Sequence, residues 1–449
     1  MCRVAIIGEN SIGYIDTLIK IWNNGDCAVL IDWRIPADTA LAMMEEAGVK
    51  KCYIEKAYYE AFSIASTSVS FFTFERLNEA PALLPDNIYS SFHKKNTREE
   101  AVIIYSSGTT GKSKGIILSH FAINTNAEAI IDYMKPDPSD CIYICKTISH
   151  SSTLVGELLV ALKTGMKLVI GPIIVPPRYV FKYIALFGVT LICVNPTLLS
   201  MFADAYDEAK YDLSSVRTIY VSGSILNDKT YEKAHDVFSN IPIYNVYGLS
   251  ELGPRVSAQR PECCKTNSVG KPVKGVAIKI FDEQGKETPR GVYGVLHVQS
   301  PCQFEGYAVG TWKYASLCEN WFNTGDIGFI DEFDELHIVG RIDDVIIIDS
   351  HKIYPGDVET IITDNTSVKE CIVVKVDISG RERIGCLYVD EKDIGPKDKQ
   401  ILRSKLMSYE IPYIFVRCAS LPRNRNGKII ISEVIDHIVN DSKPGGKTQ

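Results

Sequence analysis

The sequence predicts an α/β protein with a large N-terminal domain of parallel-rich βαβ sheets, a small β-barrel-like layer and a small α+β C-terminal domain. The chain has 449 residues, which is too long for one compact core. Its first half alternates apolar strand-like runs with helix-like segments. From about residue 268 the runs are short and separated by turns, and after residue 341 a smaller mixed pattern begins.

The N-terminal segments begin this alternation. RVAIIG (3–8), CAVLID (27–32) and CYIE (52–55) have the composition of buried strands. Between them, SIGYIDTLIKIWNNG (11–25) ends at glycine like a helix, and PADTALAMMEEAG (36–48) carries proline near its start. A βαβα order of this kind favours parallel strands with helices on both faces of the sheet.

The alternation continues to about residue 240 and predicts a further sheet with its covering helices. The strand-like runs are KLVIG (167–171), VTLICV (189–194) and TIYVSG (218–223). The helix-like runs are YVFKYIALFG (179–188), PTLLSMFADAYDEA (196–209) and NDKTYEKAHDVFS (227–239).

From about residue 268 the sequence pattern changes. VAIKIFDEQG (276–285), YGVLHVQS (293–300) and IGFIDEFDELHIVGR (327–341) are strands joined by turns, as in a barrel or an antiparallel layer. The last pattern is α+β and consists of VIII (345–348), PGDVETIITDN (355–365), ECIVVKV (370–376), ERIGCLYV (382–389) and a helix over 397–409. We therefore expect domains at 1–341 and 342–449.

Composition excludes several classes of function. The net charge of −7 and the absence of a dense Lys/Arg block argue against nucleic-acid binding. The 13 cysteines are scattered without a CxxC pair, so buried reduced thiols are expected instead of a metal site. Charges and glycines interrupt the most apolar region (158–175), so no membrane span is expected and the protein is interpreted as cytoplasmic.

A glycine-rich loop, SSGTTGKSKG (106–115), follows the apolar run AVIIY. It ends like a Walker A loop, but Ser106 stands where that motif needs glycine, and KGIILSH continues as a strand instead of a helix. The next helix candidate starts only near residue 121. The loop is thus predicted to join two strands. Its glycines, hydroxyls and lysines suit phosphate binding, with a simple surface hairpin as the alternative.

This loop resembles the phosphate loop of the acyl-adenylating superfamily of acyl- and aryl-CoA ligases, adenylation domains and luciferases, with Ser113 in place of the usual proline. Four further family motifs follow in order across the chain: YNVYGLSE (244–251), NTGD (323–326), GRIDD (340–344) and PRNRNGK (422–428). The resemblance implies that a carboxylate attacks the α-phosphate of Mg-ATP to give acyl-AMP and pyrophosphate, and that a thiol then takes the acyl group.

The resemblance also implies a role for each motif. Glu251 would bind Mg²⁺, since a hard cation prefers carboxylate oxygen, although it could merely cap a helix. Ser250 would contact the α-phosphate. The loop would hold the β- and γ-phosphates through Ser106, Ser107, Gly108, Thr109, Thr110, Gly111, Lys112 and Lys114.

The adenosine site would draw on three segments. Tyr247 would stack on adenine, with Gly223 and Ser224 as the opposite wall, and Asp326 would accept hydrogen bonds from both ribose hydroxyls. Arg341 would support the ribose and phosphate. The nucleotide-binding set is completed by Asn245 and Gly248.

The C-terminal domain is implied to be mobile. Lys428 matches the catalytic lysine that bridges the substrate carboxylate and the α-phosphate; without the other motifs it would be a surface hairpin lysine. Asp343 matches the hinge about which the domain rotates between the two steps, withdrawing the lysine and opening a path for the thiol.

The acid is expected to be aryl or short acyl. Amino-acid-activating relatives usually place an aspartate in the segment that corresponds to TISHSSTLVGEL (147–158), where the nearest acid here is Glu157. A buried ammonium without a carboxylate partner is costly, which disfavours α-amino acids. His150 matches the gate of acyl- and aryl-CoA ligases, and Asn195, Ser222 and Asn245 would add polarity.

The acceptor thiol is expected to be coenzyme A. Many CoA ligases have glycines where Asp349 and Ser350 stand here, which puts the usual pantetheine path in doubt. The alternative acceptor is therefore the phosphopantetheine of a carrier protein. A third interpretation is a protein that binds ATP or acyl-AMP and has lost the thioester step.

Overall fold

The computed structural model describes residues 1–63, 68–78, 81–106, 114–173, 175–263, 267–309, 320–348, 351–378, 380–423 and 429–442. In chain order the strands are β1 (Arg3–Gly8), β2 (Cys27–Asp32), β3 (Lys51–Glu55), β4 (Ser70–Phe74), β5 (Ala82–Leu83), β6 (Glu100–Ser106), β7 (Lys114–Ser119), β8 (Cys141–Ile144), β9 (Lys167–Ile170), β10 (Leu191–Val194), β11 (Thr218–Val221), β12 (Ile243–Gly248), β13 (Arg255–Ala258), β14 (Lys271–Pro272), β15 (Ala277–Phe281), β16 (Gly294–Gln299), β17 (Gly306–Val309), β18 (Phe322–Ile330), β19 (Leu336–Arg341), β20 (Ile346–Ile348), β21 (His351–Ile353), β22 (Glu370–Ile378), β23 (Arg381–Val389) and β24 (Ile414–Cys418).

The α-helices are α1 (Ile12–Asn23), α2 (Ala37–Glu46), α3 (Tyr59–Ser63), α4 (Asp86–Ser91), α5 (His120–Met134), α6 (Ser151–Thr153), α7 (Val160–Thr164), α8 (Pro177–Phe187), α9 (Pro196–Ala205), α10 (Asp228–Val237), α11 (Pro355–Asn365), α12 (Pro396–Lys405) and α13 (Ile431–Asp441). A π-helical turn, Leu154–Leu159, joins α6 to α7. Short 3₁₀ turns lie at Lys56–Tyr58, Ser250–Leu252 and Ile342–Asp344. No helix among the described residues is long and apolar enough to cross a bilayer.

The first sheet has the order β17-β7-β6-β2-β1-β3-β4. Strands β4, β3, β1, β2 and β6 are parallel to one another, as the βαβα pattern predicts. Ser11 begins α1 by accepting a hydrogen bond from the N–H of Tyr14 (3.1 Å), which fixes the turn after β1. The antiparallel edge, β7 and β17, was not expected as part of this sheet.

The second sheet has the order β14-β13-β12-β11-β10-β8-β9-β5. Its centre, β9-β8-β10-β11-β12, is parallel, and β13 is antiparallel to β12. The largest buried cluster joins apolar residues of both sheets to α5 and the α6–α7 segment, which pack between them. The parallel-rich α/β prediction is therefore confirmed.

The later strands form smaller sheets. Strands β15, β16, β18 and β19 make a four-stranded antiparallel sheet with its own apolar core, in agreement with the antiparallel layer expected from the sequence. Beyond residue 341, β22, β23 and β24 form a three-stranded sheet against α11 and α13. The domain boundary at residue 342 stays a prediction.

A cleft of about 1310 Å³ lies between α9 and α10 on one side and α11 and β22 on the other. Lys229 on α10 reaches across, and its Nζ donates a hydrogen bond to the carbonyl oxygen of Val368 (2.5 Å). The carboxylates assigned to nucleotide and metal binding, Asp326 and Glu251, do not line this cleft.

Glu359 on α11 faces this cleft, and burial raises the pKa of its carboxyl to about 7, against the hydrogen bond that the Val373 N–H donates to Oε1 (2.7 Å). In the unfolded chain the Glu359 carboxyl has a pKa near 4.5 and releases its proton at a lower pH than in the folded protein. The free energy of unfolding should therefore fall as the pH rises from 4.5 to about 7 and then level off. Glu359→Gln removes this titration. We expect the variant to exceed the wild type by about 1–3 kcal/mol in free energy of unfolding at pH 8 and to match it near pH 4.

Denaturant unfolding at a series of pH values measures this difference. Glu382→Gln is the matched control, because Glu382 is exposed on β23 and pairs with Lys375. If the free energy of unfolding changes with pH in the same way for wild type and Glu359→Gln, the Glu359 carboxyl has the same pKa in the folded and unfolded states.

Candidate active site

The glycine-rich loop is framed by an antiparallel hairpin. Ser106 at the end of β6 pairs with Lys114 at the start of β7, while residues 107–113 lie outside the described residues. Helix α5 begins at His120, with Ser119 Oγ accepting from the N–H of Ala122 (3.2 Å). The predicted strand–loop–strand arrangement is confirmed, and it excludes a Walker A loop, which leads directly into a helix.

Glu251 lies in the 3₁₀ turn that follows β12 and is 5% exposed. Its Oε1 accepts a hydrogen bond from the Tyr307 hydroxyl (3.0 Å) on β17. Burial raises the pKa of this carboxyl, against the Tyr307 hydrogen bond and the positive charges of Lys114 and Arg341. Glu251 is thus a buried carboxylate near Lys114, the first residue of β7.

The surroundings of Glu251 fit a magnesium ion. Among the described residues, no group of three or more His, Cys, Asp or Glu side chains could enclose a metal. Mg²⁺ in nucleotide sites is held by one or two carboxylates together with phosphate oxygens and water. With Oε1 engaged by Tyr307, Glu251 would offer Oε2 as that carboxylate ligand.

Asp326, Tyr247 and Arg341 meet at the junction of the second sheet and the antiparallel layer. Asp326 on β18 is directly opposite Arg341 on β19, with Oδ1 3.4 Å from Nη1. Its Oδ2 accepts a short hydrogen bond from the Tyr247 hydroxyl at the end of β12. Burial raises the pKa of Asp326, and the Arg341 charge and the Tyr247 hydrogen bond oppose that rise.

This arrangement holds the Asp326 carboxylate rigidly. Two oxygens offer about four acceptor positions, so Asp326 can accept further hydrogen bonds beside those it already receives. A ribose diol is a matching pair of donors. The stacking role predicted for Tyr247 stays a prediction; the structure adds that its hydroxyl is bonded to Asp326.

The other residues assigned to the nucleotide lie at the ends of β11 and β12. Gly223 (φ 103°) and Ser224 follow β11 and are exposed, and a Cβ on Gly223 would lie 3.9 Å from the Cβ of Asn195. A Cβ on Gly248 would come within 1.9 Å of the Pro254 carbonyl oxygen, so only glycine fits there. Asn245 is buried, and its Nδ2 donates to the carbonyl oxygen of Ser268 (3.3 Å).

The segment expected to bind the acid contacts the same site. Ser151 Oγ lies 2.8 Å from Ser250 Oγ, which joins the start of α6 to the turn that carries Glu251. His150 precedes α6 and lies near Asp32 at the end of β2. Burial works to raise the pKa of Asp32, but hydrogen bonds from Arg34 and the His150 charge hold it below its usual value.

Glu157, the acid nearest to this segment, is already paired. It lies in the π-helical turn, is 1% exposed, and its Oε1 is 3.1 Å from the Nζ of Lys146. A substrate ammonium would have to compete with Lys146 for this carboxylate. The pairing agrees with the expectation that the acid is not an α-amino acid.

The predicted C-terminal site residues are only partly described. Asp343 is exposed in the 3₁₀ turn Ile342–Asp344, directly after β19. Lys428, Asp349 and Ser350 lie outside the described residues, as do the loop residues Ser107, Gly108, Thr109, Thr110, Gly111 and Lys112. Their roles, like those of Ser106, Ser250 and the other assigned residues, stay predictions.

Sequence reasoning missed Tyr307. It lies 56 residues beyond Glu251 in a run without a motif, and it reaches the site because β17 pairs with β7. Ser151 lies in the segment predicted to bind the acid, directly after His150. This position was the only indication in the sequence that Ser151 belongs to the site.

Asp326→Ala is expected to weaken ATP binding by about 1.5–3 kcal/mol, the scale of hydrogen bonds to a charged group. The variant leaves the Tyr247 hydroxyl and Arg341 without their shared partner and removes the acceptor for the ribose. Isothermal titration calorimetry with ATP measures the change. Asp334→Ala, at the exposed turn between β18 and β19, is the control, and equal ATP affinity in both variants would refute the ribose assignment.

Comparison with known proteins places this geometry in a family. Residues 2–308 match the family model described as AMP-binding enzyme. The chain is 28% identical over 448 residues to 2-succinylbenzoate–CoA ligase from Bacillus cereus, covering 96% of this chain and 87% of that protein. It is 26% identical over 479 residues to a fatty acid–acyl-carrier-protein ligase from Streptomyces coeruleorubidus, covering 98% and 87%.

Solved structures share the fold. ATP-bound MatB from Rhodopseudomonas palustris matches with a TM-score of 0.86 at 22% identity, covering 98% of this chain and 90% of that one. O-succinylbenzoate coenzyme A synthetase from Bacillus subtilis, in complex with ATP and magnesium, matches with a TM-score of 0.79 at 22% identity, covering 95% and 88%. The family model covers well over half of this chain, which therefore belongs to the AMP-binding enzyme family.

Proposed function

We propose that this protein uses Mg-ATP to convert an aryl or short acyl carboxylic acid into an acyl-adenylate with release of pyrophosphate, and then transfers the acyl group to the thiol of coenzyme A. The observation that carries the proposal is the convergence of two buried carboxylates with separate partners beside one phosphate-loop hairpin. Glu251 is held by Tyr307, and Asp326 by Tyr247 and Arg341.

The two carboxylates suit different parts of one nucleotide. Glu251 has Lys114 and Arg341 as nearby cations, which would hold phosphates against it. Asp326 would receive the ribose hydroxyls. Because the first step concentrates negative charge on phosphate, these fixed cations and donors would supply much of the catalysis. Magnesium, when bound, neutralises the charge of the phosphates that depart.

The C-terminal residues would complete the site. We assign residues 342–449 to a mobile domain that carries Lys428 and turns about Asp343. In the first step Lys428 would bridge the acid carboxylate and the α-phosphate, offsetting their repulsion. Rotation would then remove the lysine and admit the thiol, as in other hinge transitions.

The phosphopantetheine of a carrier protein is a second candidate acceptor. One relative that matches 98% of this chain is named as an acyl-carrier-protein ligase. Asp349 and Ser350 also stand where many CoA ligases have glycine.

Product analysis distinguishes the acceptors. The protein is incubated with Mg-ATP, a panel of aryl, fatty, short polar and amino acids, and either CoA or a phosphopantetheinylated carrier protein, and products are identified by mass. Acyl-CoA together with AMP would support the first proposal. Loading of the carrier protein without formation of acyl-CoA would identify the carrier protein as the acceptor. AMP formation without any thioester would show that the second step does not take place.

A further inference from the structure

Arg255 is a buried cation beside the candidate acid-binding segment. It is the first residue of β13, is 5% exposed, and is held at its backbone by Asn126, whose Oδ1 accepts from the Arg255 N–H (2.8 Å) and whose Nδ2 donates to the Arg255 carbonyl oxygen (2.9 Å). Its Nε makes no hydrogen bond to any residue that the structure describes. Within the described part of the chain, no carboxylate forms an ion pair with its guanidinium.

The groups that face Arg255 leave an excess of positive charge. Glu157, from the π-helical turn, is the carboxylate of this cluster, and it is paired with Lys146 at 3.1 Å. Two further neighbours are neutral: burial raises the pKa of Tyr133 to about 12, against the Arg255 charge, and burial also raises the pKa of Cys193. Arg255 and Lys146 therefore share the Glu157 carboxylate in a buried region.

An unpaired buried charge is strongly unfavourable, and it is normally compensated by an anion. The Tyr133 hydroxyl lies near the guanidinium, and none of the described residues is its hydrogen-bond partner. A planar guanidinium that keeps free donors is well suited to bind a carboxylate through two parallel hydrogen bonds.

Gly156 lets this guanidinium approach the backbone of the π-helical turn closely. A Cβ at residue 156 would stand 3.3 Å from Arg255 Nη2 and 3.7 Å from Ile130 Cδ1. The residue lies in the π-helical turn, and such turns often occur at functional sites. Ser151, at the start of the same helical segment, contacts Ser250 next to Glu251, so Arg255 lies against the segment that reaches the candidate metal ligand.

We propose that Arg255 binds a second carboxylate of the acid substrate, so that the protein activates a dicarboxylic acid. This inference rests on the proposed acid activation. One carboxylate would react at the nucleotide while the remote one pairs with the Arg255 guanidinium. A monocarboxylic acid would leave the guanidinium buried without an anion, which gives the basis of discrimination.

The test compares matched acid pairs that differ only at the remote group, such as succinate with butyrate and phthalate with benzoate. Acid-dependent ATP–pyrophosphate exchange gives kcat and KM for wild type, Arg255→Met, Arg255→Lys and Gly156→Ala. We expect the wild type to prefer the dicarboxylic member. Arg255→Met should raise KM for that member about 10- to 100-fold and leave the monocarboxylic member within a few-fold.

The other variants sharpen the result. Arg255→Lys retains the charge without the bidentate geometry and should keep part of the preference. Gly156→Ala should reduce it, because the added Cβ would lie 3.3 Å from Nη2 and displace the guanidinium. Arg98→Met, which removes a largely exposed arginine that pairs with Glu305, is the matched control and should not change the preference. Equal use of both members by the wild type, or equal losses for both in Arg255→Met, would overturn the proposal.

Acid binding without turnover separates this proposal from the proposed activity. Thermal shift or calorimetry with the acids alone should show stronger binding of the dicarboxylic member to wild type than to Arg255→Met, and Arg255→Lys provides the comparison if the methionine variant does not fold. Such binding without pyrophosphate exchange would support the Arg255 site while refuting acid activation. Pyrophosphate exchange with acids whose binding does not depend on Arg255 would support acid activation while refuting the Arg255 site.

Discussion

Glu251→Gln is expected to slow acid-dependent ATP–pyrophosphate exchange about 100- to 1,000-fold, the scale of removing one fixed electrostatic contact to a transition state. Glutamine keeps an oxygen that can accept the hydrogen bond from Tyr307, so the local structure should survive. It removes the negative charge that would hold a divalent cation. The magnesium concentration for half-maximal exchange should rise in parallel.

The matched control is Glu305→Gln, an exposed residue just before β17 that pairs with Arg98. Both variants should unfold at temperatures close to that of the wild type. If Glu251→Gln keeps exchange and magnesium dependence within a few-fold of wild type, Glu251 is not the metal ligand and acts only as a partner for Tyr307.

Lys428→Ala is expected to have the larger effect and to abolish adenylate formation almost completely. The lysine would offset the repulsion between the acid carboxylate and the α-phosphate and would hold them in position, and both contributions are lost together. The rotation proposed for the C-terminal domain leads to a second expectation, which concerns the thioester-forming step. Because the lysine would be withdrawn before the second step, thioester formation from a supplied acyl-adenylate should be nearly unchanged.

Both half-reactions can be measured separately, the first by pyrophosphate exchange and the second by thioester formation from synthetic acyl-AMP and CoA. Lys405→Ala, an exposed lysine at the end of α12, is the control. Normal exchange in Lys428→Ala would remove Lys428 from the first step. An equal loss in both half-reactions would argue against its withdrawal between them.

Much of the fold follows from local patterns. The runs at 3–8, 27–32 and 52–55 became neighbouring parallel strands because their apolar residues can be buried on both faces only in a covered sheet. The hairpin around the glycine-rich loop was likewise predictable, since KGIILS has strand composition and Ser119 caps the following helix. These features depend on residues close together in sequence.

The contacts that organise the site are non-local, and sequence patterns do not encode them. The TGD motif has the composition of a turn, yet Asp326 lies within β18, where pairing with β19 places it opposite Arg341. Tyr307 reaches Glu251 only because β17 adds to the edge of the first sheet. The π-helical turn at Glu157 widens the usual helical spacing, which a 3.6-residue period cannot reveal.

Acid activation through an adenylate is tested most directly by measuring the exchange of labelled pyrophosphate into ATP by the wild-type protein, without any thiol and across the acid panel. We expect exchange that requires both magnesium and a carboxylic acid, and that is greatest for an aryl or short acyl acid. An acid-independent signal, or no exchange with any acid by a protein that binds Mg-ATP, would contradict acid activation.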